Sequence, residues 1–272
     1  MILTIDIGGT LIKTLEWPSE KTRFAINFDE INFEAERYEK IIITGGRSQQ
    51  IIGNYKLPDI IRSTNELNDL GRGGSYLANT EECYVLGVGT GSPLVQISNG
   101  NIKHVIGTGI GAGTIFGLGK LFAGDRSIEE LNQLAEKGDA KKLNISVGEI
   151  YENSDELGFP SSITAGNFAK INGDVTIEDR IAALMQMVGE SLATLVCAAS
   201  NSNSIVVIVG GGTFYPHFLK SLITTLDFYG FKSLIPPKAL YANCYGALFN
   251  LGINLTLFVY MVLELEEIFG IH

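Results

Sequence analysis

An apolar run that ends in a glycine turn carrying a hydroxyl, and leaves as a second apolar run, occurs twice in this chain. The first copy is ILTIDIGGTLIKTLEW, Ile2 to Trp17; the second is ECYVLGVGTGSPLVQISNG, Glu82 to Gly100. β-Branched residues on either side of such a turn read as a hairpin, and Gly8 and Gly9 can take the positive φ angles of a tight one. A repeated hairpin constrains the fold more than any other feature here, because it predicts a duplicated structure whose pattern restarts near Glu82.

The segments around the hairpins fill in that pattern. KIIITGG, Lys40 to Gly46, reads as a buried strand ending in a turn, and DIIRSTNELNDLGRGGSYLA leads into a helix. VIGTGIGAGTIFGLGKLF, Val105 to Phe122, reads as glycine-rich and then helical, and SIEELNQLAEKGD, Ser127 to Asp139, has the spacing of a capped amphipathic helix. Apolar residues recur at helical intervals from Ile177 to Ser200, and SIVVIVGGGTF, Ser204 to Phe214, is a buried strand entering a third glycine cluster. Strands alternating with helices predict an α/β architecture with some parallel strands. No linker separates domains, so the expected division lies at the restart: an N-terminal lobe of residues 1–81 and a C-terminal lobe of residues 82–272.

Composition narrows the partners. With 30 acids against 20 bases the net charge is -10, and no run of Lys and Arg forms a patch, which disfavours nucleic acid and anionic membranes. Cys83, Cys197 and Cys244 lie far apart with no histidine beside them, so neither a disulfide framework nor a zinc site is expected, and a reducing, cytoplasmic setting fits. No basic segment precedes the first apolar run, so no signal peptide is expected. The C-terminal apolar stretch, Leu248 to Leu263, is interrupted by Asn250, Gly252, Asn254 and Thr256 and is shorter than the roughly 20 residues of a spanning helix. It reads as a buried or dimer-covering helix.

The chemistry lies in the turns. Bare amides at Gly8 and Gly9 can approach a phosphate, Thr10 adds a hydroxyl, and the lone acid Asp6 can hold a hydrated divalent metal; a plain hairpin turn is the alternative. Three glycine clusters at strand ends can converge on one crevice, where open α/β sheets bind ligands. There is no GxxxxGK[ST] phosphate loop, and the first cluster does not fit GxGxxG followed by a ribose-binding acid.

Two phosphate hairpins plus a glycine-rich adenosine contact are similar to the arrangement in the acetate and sugar kinase, Hsp70 and actin superfamily. More narrowly, the order DIGGTLIK, TGG, NELND, GVGTGSP, HVIGTGIGAGTIFGLGKL, IVVIVGGGTF and YGAL resembles the type II pantothenate kinases from Met1 to about Leu248. The resemblance implies a duplicated ribonuclease H-like (actin-like ATPase) fold with two lobes around a nucleotide cleft. It also implies a homodimer that uses ATP and Mg2+ to phosphorylate pantothenate to 4'-phosphopantothenate, the first step of coenzyme A synthesis.

Residue by residue, the resemblance makes Glu66 the catalytic base and a substrate contact, and Asp6 the metal-side carboxylate. Gly8, Gly9, Thr10 and Lys13 would meet the phosphates of ATP, and Thr90 both ATP and substrate. Gly111, Ala112, Gly113, Thr114, Ile115 and Phe116 would lie along the nucleotide, and Gly211, with Gly210 and Gly212, beside adenine or ribose. Asn167 falls in a matching segment without a clear role. His104 stands on the substrate side where the family usually carries arginine, and is shorter and no bidentate donor. Lys103 or Arg72 is therefore expected to take over the anion contact, and inhibition by coenzyme A to be weak. Pantetheine or an N-acetylhexosamine as acceptor, and a non-catalytic ATP-binding regulator, remain alternatives. An activator ATPase of the 2-hydroxyacyl-CoA dehydratase kind would need a cysteine in a glycine-rich turn to bridge an iron-sulfur cluster, which this chain lacks.

Overall fold

In the computed structural model, which describes the chain apart from residues 32–33, 51–59, 64, 152–157, 159, 171–173 and 251–272, and only the backbone at 35, 60 and 62, the first apolar run is β1 (Ile2–Ile7). It pairs antiparallel with β2 (Ile12–Trp17), and β2 with β3 (Lys21–Ala25). β4 (Lys40–Thr44) runs parallel to β1, and β5 (Ile60–Arg62) parallel to β4. The sheet order is β3-β2-β1-β4-β5. Helix α1 (Glu66–Ala78) follows, its start capped by the Asn65 side chain, which accepts from the Asn68 N–H.

The pattern then repeats. β6 (Cys83–Gly87), β7 (Ser92–Ser98) and β8 (Asn101–Thr108) precede α2 (Ala112–Ala123) and α3 (Ile128–Lys137). A two-stranded ribbon of β9 (Ile145–Ser146) and β10 (Thr164–Gly166) leads to α4 (Ile177–Ala199). β11 (Ile205–Val209), α5 (Pro216–Phe228), β12 (Lys232–Leu234) and α6 (Ala242–Asn250) complete the described chain. The second sheet has the order β12-β11-β6-β7-β8. Each sheet therefore places its third, second, first, fourth and fifth strands side by side; the duplication is what the two hairpins predict, and the ribonuclease H-like form is what the resemblance implies. β8 was not legible in the sequence: NIKHVIGT lacks clean alternation because it is an edge strand with most residues exposed.

The chain divides into two compact units. One comprises Met1–Val85, Val95–His104 and Pro236–His272, the other Leu86–Leu94 and Val105–Ile235. This differs from a single cut at residue 82, because α6 returns to the first sheet. Alternation along β1 explains how. Leu3, Ile5 and Ile7 bury one face with Ile12, Phe28, Ile41 and Ile43. The other face carries Thr4 and Asp6, and its Leu15, Trp17 and Ile42 are covered by Cys244, Tyr245, Ala247 and Leu248 of α6. Both faces of β1 are thus buried, which is why it reads as a continuous apolar run broken by one acid. The expected helix over Leu248–Leu263 otherwise lies outside the described residues.

In the second unit α4 is the core helix. Its Ile181, Leu184, Met185, Val188, Leu192 and Val196 have no exposed surface. Gly189 lets α5 approach to backbone contact, since a Cβ there would sit 2.8 Å from the Leu222 nitrogen. By length and hydropathy α4 could cross a membrane, but 56% of its apolar window is buried inside the protein.

Candidate active site

In the first unit the acid and the lysine of the opening motif meet. Asp6 and Lys13 are directly opposed in the β1–β2 register, so their side chains share a face, and Lys13 Nζ lies 2.8 Å from Asp6 Oδ2, with Asp6 buried and Lys13 half-buried. Burial alone would lower the Lys13 amine, but the charge and hydrogen bond of Asp6 outweigh it and hold the amine above its ordinary value. The other carboxylate oxygen, Asp6 Oδ1, is buried and has no hydrogen-bond partner among the described residues. Gly45 lies against it with φ +95°; a Cβ there would be 2.6 Å from Oδ1 and 2.5 Å from the Ile7 carbonyl.

The turn between the two residues differs from the expected tight hairpin. Ile7 pairs with Ile12, leaving a four-residue loop closed by the Gly8 N–H donating to the Leu11 carbonyl at 3.1 Å. Neither Gly8 nor Gly9 has positive φ. Glycine serves at position 8 through space instead, because a Cβ would come within 3.0 Å of both Leu11 O and Lys13 Nζ.

Glu66 is the first residue of α1 and is exposed. Desolvation by the protein around it, then the negative charge of Asp6, raise its carboxyl above the ordinary glutamate value; Lys13 opposes the shift and Asp69 adds to it. Gly46 flanks it, with a Cβ position 3.5 Å from Glu66 Oε2. α1 also meets β8: a Cβ on Gly71 would be 2.9 Å from the Ile102 side chain. His104, exposed and two residues further along β8, shares the face of Ile102. Arg72 and Lys103, next in sequence to the touching pair, are both exposed.

The second unit gathers the other three predicted segments. Gly89 N–H donates to the Gly91 carbonyl at 2.9 Å, and Gly113 N–H to the Gly89 carbonyl at 3.3 Å, so the first turn of α2 is bonded to the second hairpin. Thr90 is exposed at the tip; a Cβ on Gly113 would lie 2.7 Å from its carbonyl oxygen. Thr114 Oγ1 accepts from Gly111 N–H at 3.1 Å and fastens that start, while Ile115 is buried and Ala112 and Phe116 are half-buried. The third glycine cluster joins the same hairpin. Val88 N–H donates to Val209 O at 2.7 Å and Gly212 N–H to Val88 O at 2.8 Å, with Gly210 at φ +97° and Gly211 between them. Glycine clusters far apart in sequence are thus bonded together at the N-terminus of a twelve-residue helix, where backbone N–H groups and the helix dipole favour an anion.

Two residues escaped the sequence reading. Arg47, directly after TGG, places its guanidinium 3.4 Å from the Gly9 carbonyl of the first hairpin. Asp69 has no exposed surface; its spacing of three from Glu66 on one helix face was the available signal. Among the described residues no cluster of three or more His, Cys, Asp or Glu could hold a metal by itself. A lone hard carboxylate oxygen at Asp6 suits instead a Mg2+ bound mainly through substrate phosphates.

Comparison with known proteins agrees with this architecture. The activator of the 2-hydroxyisocaproyl-CoA dehydratase from Clostridium difficile, solved with bound ADPNP, superposes with a TM-score of 0.61 at 16% identity, over 90% of this chain and 92% of that one. Component A of the (R)-2-hydroxyglutaryl-CoA dehydratase from Acidaminococcus fermentans gives 0.60 at 17%, over 90% and 95%. The two sheets with their glycine hairpins are thus of the actin-like ATPase fold. At this identity the likeness concerns fold alone.

Sequence comparison is narrower. The Fumble family model matches residues 83–248. A type II pantothenate kinase of Oceanobacillus iheyensis is 30% identical over 225 residues, 76% of this chain and 82% of the relative, and one of Staphylococcus haemolyticus is 27% identical over 270 residues, 92% and 99%. The chain belongs to the Fumble family of type II pantothenate kinases.

Proposed function

We propose that the chain transfers the γ-phosphoryl group of ATP to the primary hydroxyl of pantothenate, forming 4'-phosphopantothenate and ADP. The observation that carries this reading is the exposed Glu66 carboxylate, raised beside the Asp6–Lys13 pair, in a chain whose relatives are type II pantothenate kinases.

The acceptor oxygen attacks the γ-phosphorus, its proton passes to Glu66, and the bond from that phosphorus to the β,γ-bridging oxygen breaks as ADP leaves. A base raised toward neutrality is better matched to an alcohol than an ordinary carboxylate. Phosphoryl transfer otherwise needs positioning and charge stabilisation. Lys13 supplies a point charge to the phosphates, the amides and hydroxyl of Gly8 to Thr10 meet them, and Thr90 with the start of α2 and Gly211 hold the nucleotide. Asp6 would hold Mg2+, which when bound neutralises phosphate charge.

His104 supports a second reading of the acceptor. Without arginine, the carboxylate of pantothenate falls to Arg72, since strand alternation sets Lys103 on the face of β8 opposite His104, whereas pantetheine has no carboxylate to bind; the same change weakens inhibition by coenzyme A. We assign the chain to the cytoplasm on its free, widely spaced cysteines, and a homodimer on the resemblance of its motifs alone. ADP release with Mg-ATP, measured across pantothenate, pantetheine and N-acetylglucosamine, tests the reading. Turnover with pantothenate that Glu66→Gln abolishes is expected. Turnover with N-acetylglucosamine alone, or none with any acceptor, overturns it.

A further inference from the structure

Among the described residues of the first unit, the acid whose side chain takes the most hydrogen bonds is neither Asp6 nor Glu66 but Asp69. Asp69 is wholly buried in the first turn of α1, three residues after Glu66. Its Oδ2 accepts from Thr44 Oγ1 at 2.5 Å, its Oδ1 from the Asn250 amide, and a further hydrogen bond comes from the Ser63 side chain. Thr44 is itself buried and is the register partner of Asp6 across the parallel β1–β4 pair. The backbone beneath Asp69 is held as tightly: a Cβ on Gly246 of α6 would sit 1.8 Å from the Asp69 carbonyl, and one on Gly73 of α1 1.7 Å from the Ala242 carbonyl. The same helix, α6, therefore grips Asp69 by its main chain at Gly246 and by its side chain at Asn250.

We infer that Asp69 is a positioning residue: its bonds to Thr44 and Asn250 set the height of Glu66 relative to the Asp6 carboxylate by tying α1 to the strand position beside Asp6. This rests on Glu66 being the base. A fully buried carboxylate is costly unless every lone pair is used, and a core needing only volume at this position would be served by leucine or methionine. The bonds run instead to the β4 residue paired with Asp6 and to the last turn of the helix that α1 packs on. Rotation or sliding of α1 by a fraction of a turn would move Glu66 while leaving the glycine turns untouched. Acceptor chemistry, not nucleotide affinity, is what such a shift would impair.

The test uses the full chain and reads kcat and the ATP KM separately. Asp69→Asn keeps an acceptor for Thr44 but turns an N–H toward the Asn250 amide; kcat is expected to fall about 10- to 100-fold, the scale of a misplacement near 1 Å, with the ATP KM changed less than about twofold. Adding Asn250→Asp exchanges donor and acceptor and is expected to restore kcat to within about threefold of the unmodified chain. Asp69→Asn at full kcat, or an undiminished loss in the double variant, overturns the inference. Should Asp69→Asn fail to fold, Thr44→Val decides: a lower kcat at constant ATP KM supports the link, and an unchanged kcat sinks it. Glu66→Gln separates the two levels. If it is dead while Asp69→Asn is fully active, only the positioning role fails; if it turns over normally, the base assignment itself fails.

Discussion

The Lys13 ammonium and the Asp6 carboxylate, 2.8 Å apart, come from directly opposed positions of β1 and β2, the carboxylate buried and the lysine side chain only 13% exposed. Removing one member of such a pair strands the other charge. Lys13→Met is therefore expected to destabilise the fold by about 3 kcal/mol, measured by chemical denaturation. Because the folded amine is raised, its stabilisation is complete below the ordinary lysine value of about 10.4 and is lost only as pH climbs through the higher folded value. The difference between variant and unmodified chain should thus be the same at about pH 7 and about pH 9.

As the proposed base, Glu66 must be ionised to accept a proton, and its carboxyl lies above the ordinary value. As pH rises through that value kcat/KM should rise, placing the acid limb above about 4.3. Lys13 lowers the Glu66 value and Asp69 raises it, so in any residual activity Lys13→Met should move the limb to higher pH and Asp69→Asn to lower pH. Glu66→Gln should lose the limb, with kcat down by about 10²- to 10⁴-fold. A limb unmoved by Lys13→Met would show that another group sets it.

Gly113 and Gly117 lie four residues apart on α2 and have opposite surroundings. A Cβ on Gly113 meets the Thr90 carbonyl at 2.7 Å and its Cα and Cγ2 at 3.0 Å, whereas one on Gly117 meets nothing within 4 Å. Gly113→Ala should push α2 off the second hairpin and raise the ATP KM by about tenfold or more, roughly 1.4 kcal/mol. Gly117→Ala should raise stability by about 0.5–1 kcal/mol through helix propensity. Thermal melts and ATP titrations of the two variants distinguish them.

Asp179, buried at the start of α4, accepts from the Asp139 N–H at 2.9 Å, the Thr176 N–H at 3.1 Å and Lys142 Nζ at 3.0 Å. Burial alone would raise its carboxyl, but these donors hold it well below the usual carboxylate range. Asp179→Ala should cost about 2–4 kcal/mol by leaving those donors unpaired. With a depressed folded value the stabilisation is present above the unfolded value of about 3.9 and is lost as pH falls through the folded one. The gap between the two proteins in acid titrations should therefore close only well below about pH 4.

The hairpins, the buried strands and the capped helices were legible because each is a local pattern. Ile2–Ile7 alternates against both faces of a sheet, and Ser127 with Glu130 closes a capping box within one turn. Glu66, Asp6, Lys13 and the three glycine clusters were legible as residues of a resembling motif. What the glycines do was not. Gly8 was expected to turn the chain and instead makes room for Lys13, and Gly113 and Gly212 are needed because Thr90 and Val88 lie against them. β8 was hidden because an exposed edge strand has no face that must be apolar. Asp69 was not legible, since its spacing of three from Glu66 puts both acids on one helix face without saying which is buried. Only the approach of Thr44 from a strand 25 residues earlier and of Asn250 from 181 residues later separates the buried carboxylate from the exposed one. Local periodicity determines which elements form, while burial and long-range partners determine which acid is free to act.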